Sequence, residues 1–285
     1  MKAILKSVFI SVLPILSLYY TLDSLIHLLS KGISYRYIGR FIIAFTIAIF
    51  FISLFVRKVA RTDANLKAFT LPIAIGFLIS VIFGSIVEKD INGSLPGISL
   101  FLCWVLYLKW YSFFDNRNIN TIIKTGNTLP DLELQDFEKN NVNTSVFLGN
   151  PSIFLFYRGN WCPLCMAQIQ EIVSQYKELK KRNVNIVLIS PQPHRQTKFL
   201  AKKFGLKFNY LVDMENKVAK RLQIFSRNGL PMGLQVLGYD SDTVMPTVII
   251  TDKRGKIIFA DLTNNYRIRP EPEIFLKILD KKNLT

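Results

Sequence analysis

Cys162 and Cys165 stand three residues apart in FYRGNWCPLCMAQIQ, and the rest of the 285-residue chain holds one more cysteine, Cys103, and two histidines, His27 and His194. Thiols at C-x-x-C spacing serve either as half of a zinc site or as a reversible dithiol. Structural zinc takes four Cys or His ligands, and the remaining cysteine and both histidines are scattered through unlike settings, so no second ligand pair is available. Neither G-x-x-x-x-G-K-[ST] nor G-x-G-x-x-G occurs, so no phosphate-cradling loop is expected. The expectation is chemistry by sulfur, with no metal and no other cofactor.

The setting of the pair sharpens this. SIFLFY, residues 152–157, reads as a buried strand, and MAQIQEIVSQYKELKKR, residues 166–182, carries apolar residues at helical spacing. Trp161-Cys162-Pro163-Leu164-Cys165 therefore lies where a strand gives way to a helix. There Cys162 meets unpaired helix N–H groups and the positive end of the dipole, which favours its thiolate. Cys165 follows one turn later on the same face and can close a Cys162–Cys165 disulfide with little backbone movement. Pro163 suits the first helical turn, where its missing N–H is not needed.

The elements that hold this motif alternate in type. Further strands are expected at 184–190 and 209–212, helices at 194–204 and 215–223, a hairpin from TVIITD and IIFADL around RGK, and a closing helix in PEPEIFLKILDKK. That order describes an α/β domain with a central mixed sheet flanked by helices. The segment 225–243 is a long connection that is expected to rim the active site.

Ahead of it lies a different kind of sequence. Residues 1–123 carry 12 basic and 5 acidic side chains, against 24 and 15 in the remainder. A helix needs about 20 mostly apolar residues to cross a bilayer, and four charge-poor stretches predict spans near 8–29, 38–56, 68–87 and 96–114. The division is thus an α-helical membrane region at 1–114 with about four spans, a linker at 115–127 and the α/β domain at 128–285. With four spans, the N-terminus, the 57–67 loop and the region after 114 share one side and hold eight Lys and Arg against four opposite, which puts the C-terminal domain in the cytoplasm at an inner or plasma membrane. Asp23 and His27 lie four apart within the first span, near its end, and can touch each other, headgroups or a neighbouring helix. Cys103 has no partner thiol in its span and reads as a small hydrophobe. The net charge of +16 is spread over helix surfaces with no recognition motif, so the bilayer rather than nucleic acid is the expected partner.

Residues 128–282 resemble the thioredoxin superfamily, and within it the peroxiredoxin-like proteins of the AhpC/TSA group. The resemblance is carried by LPDLELQDF, FYRGNWCPLC, VLISPQPHRQTKFLAKKFGLKFNYLVD, MPTVIITDKRGKI and NNYRIRPEPEIFL. It implies a thioredoxin-like fold in which Met245-Pro246 is a cis-proline junction, with Met245, Pro246 and Thr247 shaping a substrate site and the Met245 backbone pairing with an extended partner. The peroxiredoxin pattern F-Y-P-x-x-x-T-x-x-C, laid on this chain without gaps, puts Arg158 at its proline, Cys162 at its threonine and Cys165 at its peroxidatic cysteine. Two pocket residues are thus replaced, and the remainder looks more like a thioredoxin pair. Arg158, Arg267 or Arg269 can supply positive charge to the thiolate or a leaving oxygen, or else make surface ion pairs. The expected function is a membrane-tethered thiol–disulfide oxidoreductase: Cys162 attacks a protein or small-molecule disulfide beside Trp161, Cys165 resolves the mixed disulfide, and a thioredoxin-like or other thiol reductant restores the pair. Two alternatives use the same residues. One is a thiol-dependent peroxidase in which one cysteine is oxidised by a hydroperoxide and the other condenses with it. The other is a redox-sensing membrane protein without turnover.

Overall fold

The computed structural model describes residues 1–89, 92–114, 117 and 120–281. Four helical segments come first: α1 (Lys2–Lys31), α2 (Tyr35–Val56), α3 (Lys67–Leu78, prolonged by a π turn over Ile79–Phe83) and α4 (Leu95–Leu106, prolonged by a π turn over Tyr107–Tyr111). Three stretches, Lys2–Lys31, Tyr35–Val56 and Asn92–Tyr111, are long and apolar enough to cross a membrane, while Lys67–Phe83 is apolar but shorter. Three candidate spans and a shorter apolar helix thus stand where four full spans were expected. Helix α2 packs against α1 and α3, and Gly39 makes the second crossing possible: a Cβ there would lie 2.4 Å from the Gly76 carbonyl.

The rest is a seven-stranded mixed sheet with helices on its faces. Its strands are β1 (Glu133–Asp136), β2 (Asn141–Asn143), β3 (Ser152–Phe156), β4 (Asn185–Ser190) and β5 (Asn209–Val212), then, after a two-stranded ribbon of β6 (Phe225–Ser226) and β7 (Thr243–Val244), β8 (Thr247–Thr251) and β9 (Ile257–Asp261). The spatial order is β2-β1-β5-β4-β3-β8-β9. Parallel β3, β4 and β5 form the centre, and β8 joins β3 antiparallel. In the β8–β9 turn, Asp252 Oδ1 accepts from the N–H groups of Arg254 and Lys256 at 2.9 Å each.

The helices of this part are α5 (Pro163–Ser174), α6 (Tyr176–Lys181), α7 (His194–Phe204), α8 (Lys217–Arg221) and α9 (Pro272–Lys281). Two of them differ from the sequence expectation. The helix expected at 166–182 begins earlier, at Pro163, and breaks at Gln175. The one expected at 215–223 is trimmed to Lys217–Arg221, where the Asp213 carboxylate accepts from Val218 and Ala219 N–H at 2.8 Å each and so fixes its start. Of the expected linker, residues 115, 116, 118 and 119 lie outside the described residues.

Alternation along β3 divides the core in two. Phe154 and Phe156 face a cluster with Leu134, Val187, Ile189 and Ile249. Ile153 and Leu155 face another that holds both motif cysteines and runs unbroken into the helical region through Tyr107, Trp104, Phe50 and Ile43. The dithiol therefore sits at the seam between the two halves of the chain.

Candidate active site

The loop leaving β3 is shaped to bring the thiols under cover. Gly159 has φ +149, and a Cβ there would lie 2.7 Å from Trp161 Nε1, so glycine lets the indole fold back over its own loop. The Asn160 N–H donates to Gln192 Oε1 at 2.9 Å, and Gln192 Nε2 donates to the Tyr157 hydroxyl at 3.0 Å. Cys162 is the extended residue preceding α5, with Pro163 in the first turn, and its carbonyl accepts the N–H of Met166 at 3.0 Å. Both thiols are free and buried, at 2% and 0% exposure for Cys162 and Cys165.

The charge of the reduced pair belongs to Cys165. Burial opposes its ionisation, but the S–H of Cys162 donates to it, the Arg269 guanidinium stands beside it and the Arg158 backbone N–H points at it; together these hold its pKa well below the ordinary thiol value. Burial and the proton given to Cys165 push Cys162 the other way, well above that value. The helix N-terminus alone would favour Cys162, as the sequence suggested; the hydrogen bond from Cys162, with the Arg269 guanidinium beside it, favours Cys165. Arg269 Nη2 lies 3.5 Å from Cys165 Sγ, and its Nη1 donates to Gln168 Oε1 at 2.8 Å, which fixes the fork.

The other two arginines are separated by geometry. Arg158 donates from its side chain to the Gly229 carbonyl and stacks over the Trp161 ring at 4.6 Å and the Tyr266 ring at 5.8 Å. Arg267, fully buried, is turned away from the thiols. Its Nε donates to Ser112 Oγ at 2.9 Å and its Nη groups to Thr62 Oγ1 at 2.9 Å and to the carbonyls of Asp63 and Ala64 at 2.8 Å each. It joins the end of α4 to the loop after α2.

The 245–247 turn also differs from what the resemblance implied. No cis peptide bond occurs among the described residues, so Met245-Pro246 is trans. The backbone that would greet a substrate strand is already engaged: Met245 N–H donates to the Ile224 carbonyl at 2.7 Å, and Thr247 Oγ1 to the Met245 carbonyl at 2.8 Å. Arg117, 3% exposed, donates to the Pro246 carbonyl at 2.7 Å and to Thr247 Oγ1 at 2.9 Å. Nothing in the composition around Arg117 marked it. Thr243 Oγ1 donates to the Arg158 carbonyl at 3.1 Å and ties this strand to the motif loop. Beside the motif loop lies a cavity of about 330 Å³ lined by Arg158, Tyr111, Met245 and Tyr266 among others, but by neither cysteine.

The remaining candidates lie elsewhere. Cys103 is in α4, and His194 opens α7 with its ring 3.1 Å from Gln135 Oε1. Asp23 pairs with Arg40 rather than His27, which stacks on Tyr37 with ring centroids 3.5 Å apart.

Residues 125–260 match the AhpC/TSA family. Chloroplastic peroxiredoxin Q of Sedum lineare is 35% identical over 152 residues, covering 53% of this chain and 74% of that protein. Thiol-disulfide oxidoreductase ResA of Geobacillus thermodenitrificans is 25% identical over 159 residues, covering 55% and 79%. Among solved structures, peroxidoxin BcpB from Mycobacterium tuberculosis aligns with a TM-score of 0.47 at 22% identity, covering 56% of this chain and 97% of that one.

Proposed function

The chain belongs to the AhpC/TSA family, and from that premise we propose that it is a membrane-tethered, thiol-dependent oxidoreductase cycling Cys162 and Cys165 between dithiol and disulfide. Residues 1–114 anchor it in the bilayer, 115–127 lead out and 128–285 do the chemistry, in the cytoplasm on the loop-charge argument. The observation that carries the reading is the buried pair itself, two free thiols three residues apart at the start of a helix with the Arg269 guanidinium 3.5 Å from Cys165 Sγ.

Burial selects among the oxidants. A protein disulfide must bring its own sulfur into line with an attacking thiolate, and here the sulfurs are covered and the Met245 backbone is taken. A hydroperoxide is far smaller than a protein disulfide and needs only a small opening of that cover. This favours the peroxidase alternative over exchange with a protein disulfide. Cys165 thiolate attacks the distal peroxide oxygen, the O–O bond breaks, and the departing alkoxide takes the Cys162 proton. Cys165 becomes a sulfenic acid; the Cys162 thiolate then forms the S–S bond and expels hydroxide. Arg269 and Arg158 offset the negative charge at each stage. A thiol reductant, thioredoxin-like in kind, returns the disulfide to the dithiol.

Stopped-flow mixing of the reduced, detergent-solubilised full chain with a hydroperoxide tests this. Two thiols are expected to be lost per peroxide, with a dimedone-trappable sulfenic acid accumulating on Cys165 in Cys162→Ser. Faster reaction with insulin disulfide than with hydroperoxide would instead establish disulfide exchange.

A further inference from the structure

The 225–243 connection is longer than the sheet needs, and its position explains the excess. Between β6 and β7 it docks on the first turns of α1. Met232 N–H donates to the Ser7 carbonyl at 3.2 Å, Ser11 Oγ donates to the Met232 carbonyl at 2.9 Å, and Ser7 Oγ donates to the Leu230 carbonyl. Ser7 and Ser11, one turn apart, lie on one face of α1, and this loop is what they receive. Past the contact the chain turns through Leu234–Leu237 and leaves Met232, Val236 and Leu237 exposed at 52%, 87% and 54%. Three bare apolar side chains on one short loop would be costly in water. Ile4, Leu5, Val12 and Ile15 of α1, the helix on which the loop docks, are likewise exposed and belong to a stretch apolar enough to span.

We propose that residues 231–238 form a membrane-immersed lip lying in the lipid interface beside α1, and that the cavity behind it admits the dithiol's oxidant from the bilayer. Ser11 lies three residues inside the expected start of the first span, so the lip sits roughly 5 Å below that level at 1.5 Å per residue, the depth at which interfacial segments rest. The occupant is lipid, because the patch continues the lipid-facing surface of α1. The same connection walls the cavity: Phe225 and Gly229 line it together with Lys6, Ile10 and Phe113, and Arg158 brings the motif loop to it. Lys6 Nζ donates to the Phe113 carbonyl at 2.7 Å over the Trp110 ring, as a snorkelling anchor at the interface does. The entrance thus lies on the membrane side of the domain.

The lip rests on the reading of α1 as a span, and the oxidant's route on the peroxidase reading; the tests separate these. Spin labels at Val236→Cys, Ile15→Cys and Lys253→Cys, each in a full chain with Cys103, Cys162 and Cys165 replaced by Ser and embedded in nanodiscs, are compared for collision with oxygen and with aqueous nickel chelate. The lip is established by an oxygen-to-nickel ratio at 236 severalfold above that at 253 and approaching that at 15. A ratio at 236 equal to that at 253, with 15 in lipid, overturns it; an aqueous ratio at 15 overturns the span and the lip together. For the route, phospholipid hydroperoxide in the same discs is expected to oxidise the wild-type dithiol. Oxidation by hydrogen peroxide but not by the phospholipid hydroperoxide overturns the route alone, and oxidation by neither overturns the functional reading.

Discussion

At the scale of single residues, the hydrogen bond from Cys162 and the Arg269 guanidinium together lower the pKa of the Cys165 thiol. Stabilising the Cys165 thiolate stabilises the reduced state, so the disulfide becomes a stronger oxidant. Arg269→Met is therefore expected to raise the pH at which thiolate absorbance appears and to make the disulfide harder to reduce, by about 30 mV for each tenfold change in its equilibrium with glutathione. The same pair gives reduced protein a pH-dependent stability. Because the folded pKa of Cys165 is depressed, its contribution is present in full above the ordinary thiol value of 9.0 and is lost as pH falls through the folded value. Cys162, whose folded pKa is raised, works in the opposite sense above 9.0, where the unfolded chain ionises first. The Tm of reduced protein minus that of oxidised protein should thus climb as pH rises towards 9 and fall beyond it, since the disulfide has neither proton to lose. A pH-independent difference between the two forms would refute the assignment.

At the scale of elements, the strand, the Cys-Pro turn and the helix were legible because each carries a local signal: an apolar run, an extended cysteine before a proline, apolar residues at helical spacing. What holds the turn was not legible. Gln192, from a loop, and Thr243, from the short strand β7, meet the motif only through the fold, as Arg117 meets the 245–247 turn beside it. Arg267 and Arg269 could not be told apart either, because the segment that carries them lies outside any strand or helix and gives no period from which to read direction. The trans Met245-Pro246 peptide likewise reflects partners from elsewhere, Ile224 and Arg117. Gly159 is the local feature on which the turn depends. In Gly159→Ala the new methyl meets the Trp161 indole at a φ that L residues rarely adopt, so a loss of about 1–3 kcal/mol is expected in urea unfolding. Trp161 should also swing from Arg158, seen as a change in tryptophan emission and faster alkylation of Cys162; unchanged emission and alkylation would mean that the indole is held by other contacts.

At the scale of the molecule, the two halves of the chain are less separate than their compositions suggest. Hydropathy and charge divide near residue 123, yet the apolar cluster crosses that line at the dithiol, and the N-terminus, the loop after α2 and the end of α4 all meet the α/β domain. Arg267 is the polar rivet of that junction, with Thr62 N–H also donating to its carbonyl at 3.0 Å. Replacing it by Met keeps much of the volume but leaves the buried Ser112 hydroxyl without its donor and removes the part-buried hydrogen bonds to the Asp63 and Ala64 carbonyls. At about 1–3 kcal/mol for each unsatisfied group, the junction should loosen before either half unfolds. Arg267→Met in detergent is accordingly expected to become sensitive to protease within residues 57–66 and to lose several degrees of Tm. Its thiolate titration should stay close to wild type, because Arg269 and not Arg267 faces Cys165. A thiolate shift as large as that of Arg269→Met would mean that the helical region sets the chemistry of the pair directly, rather than holding the domain that does.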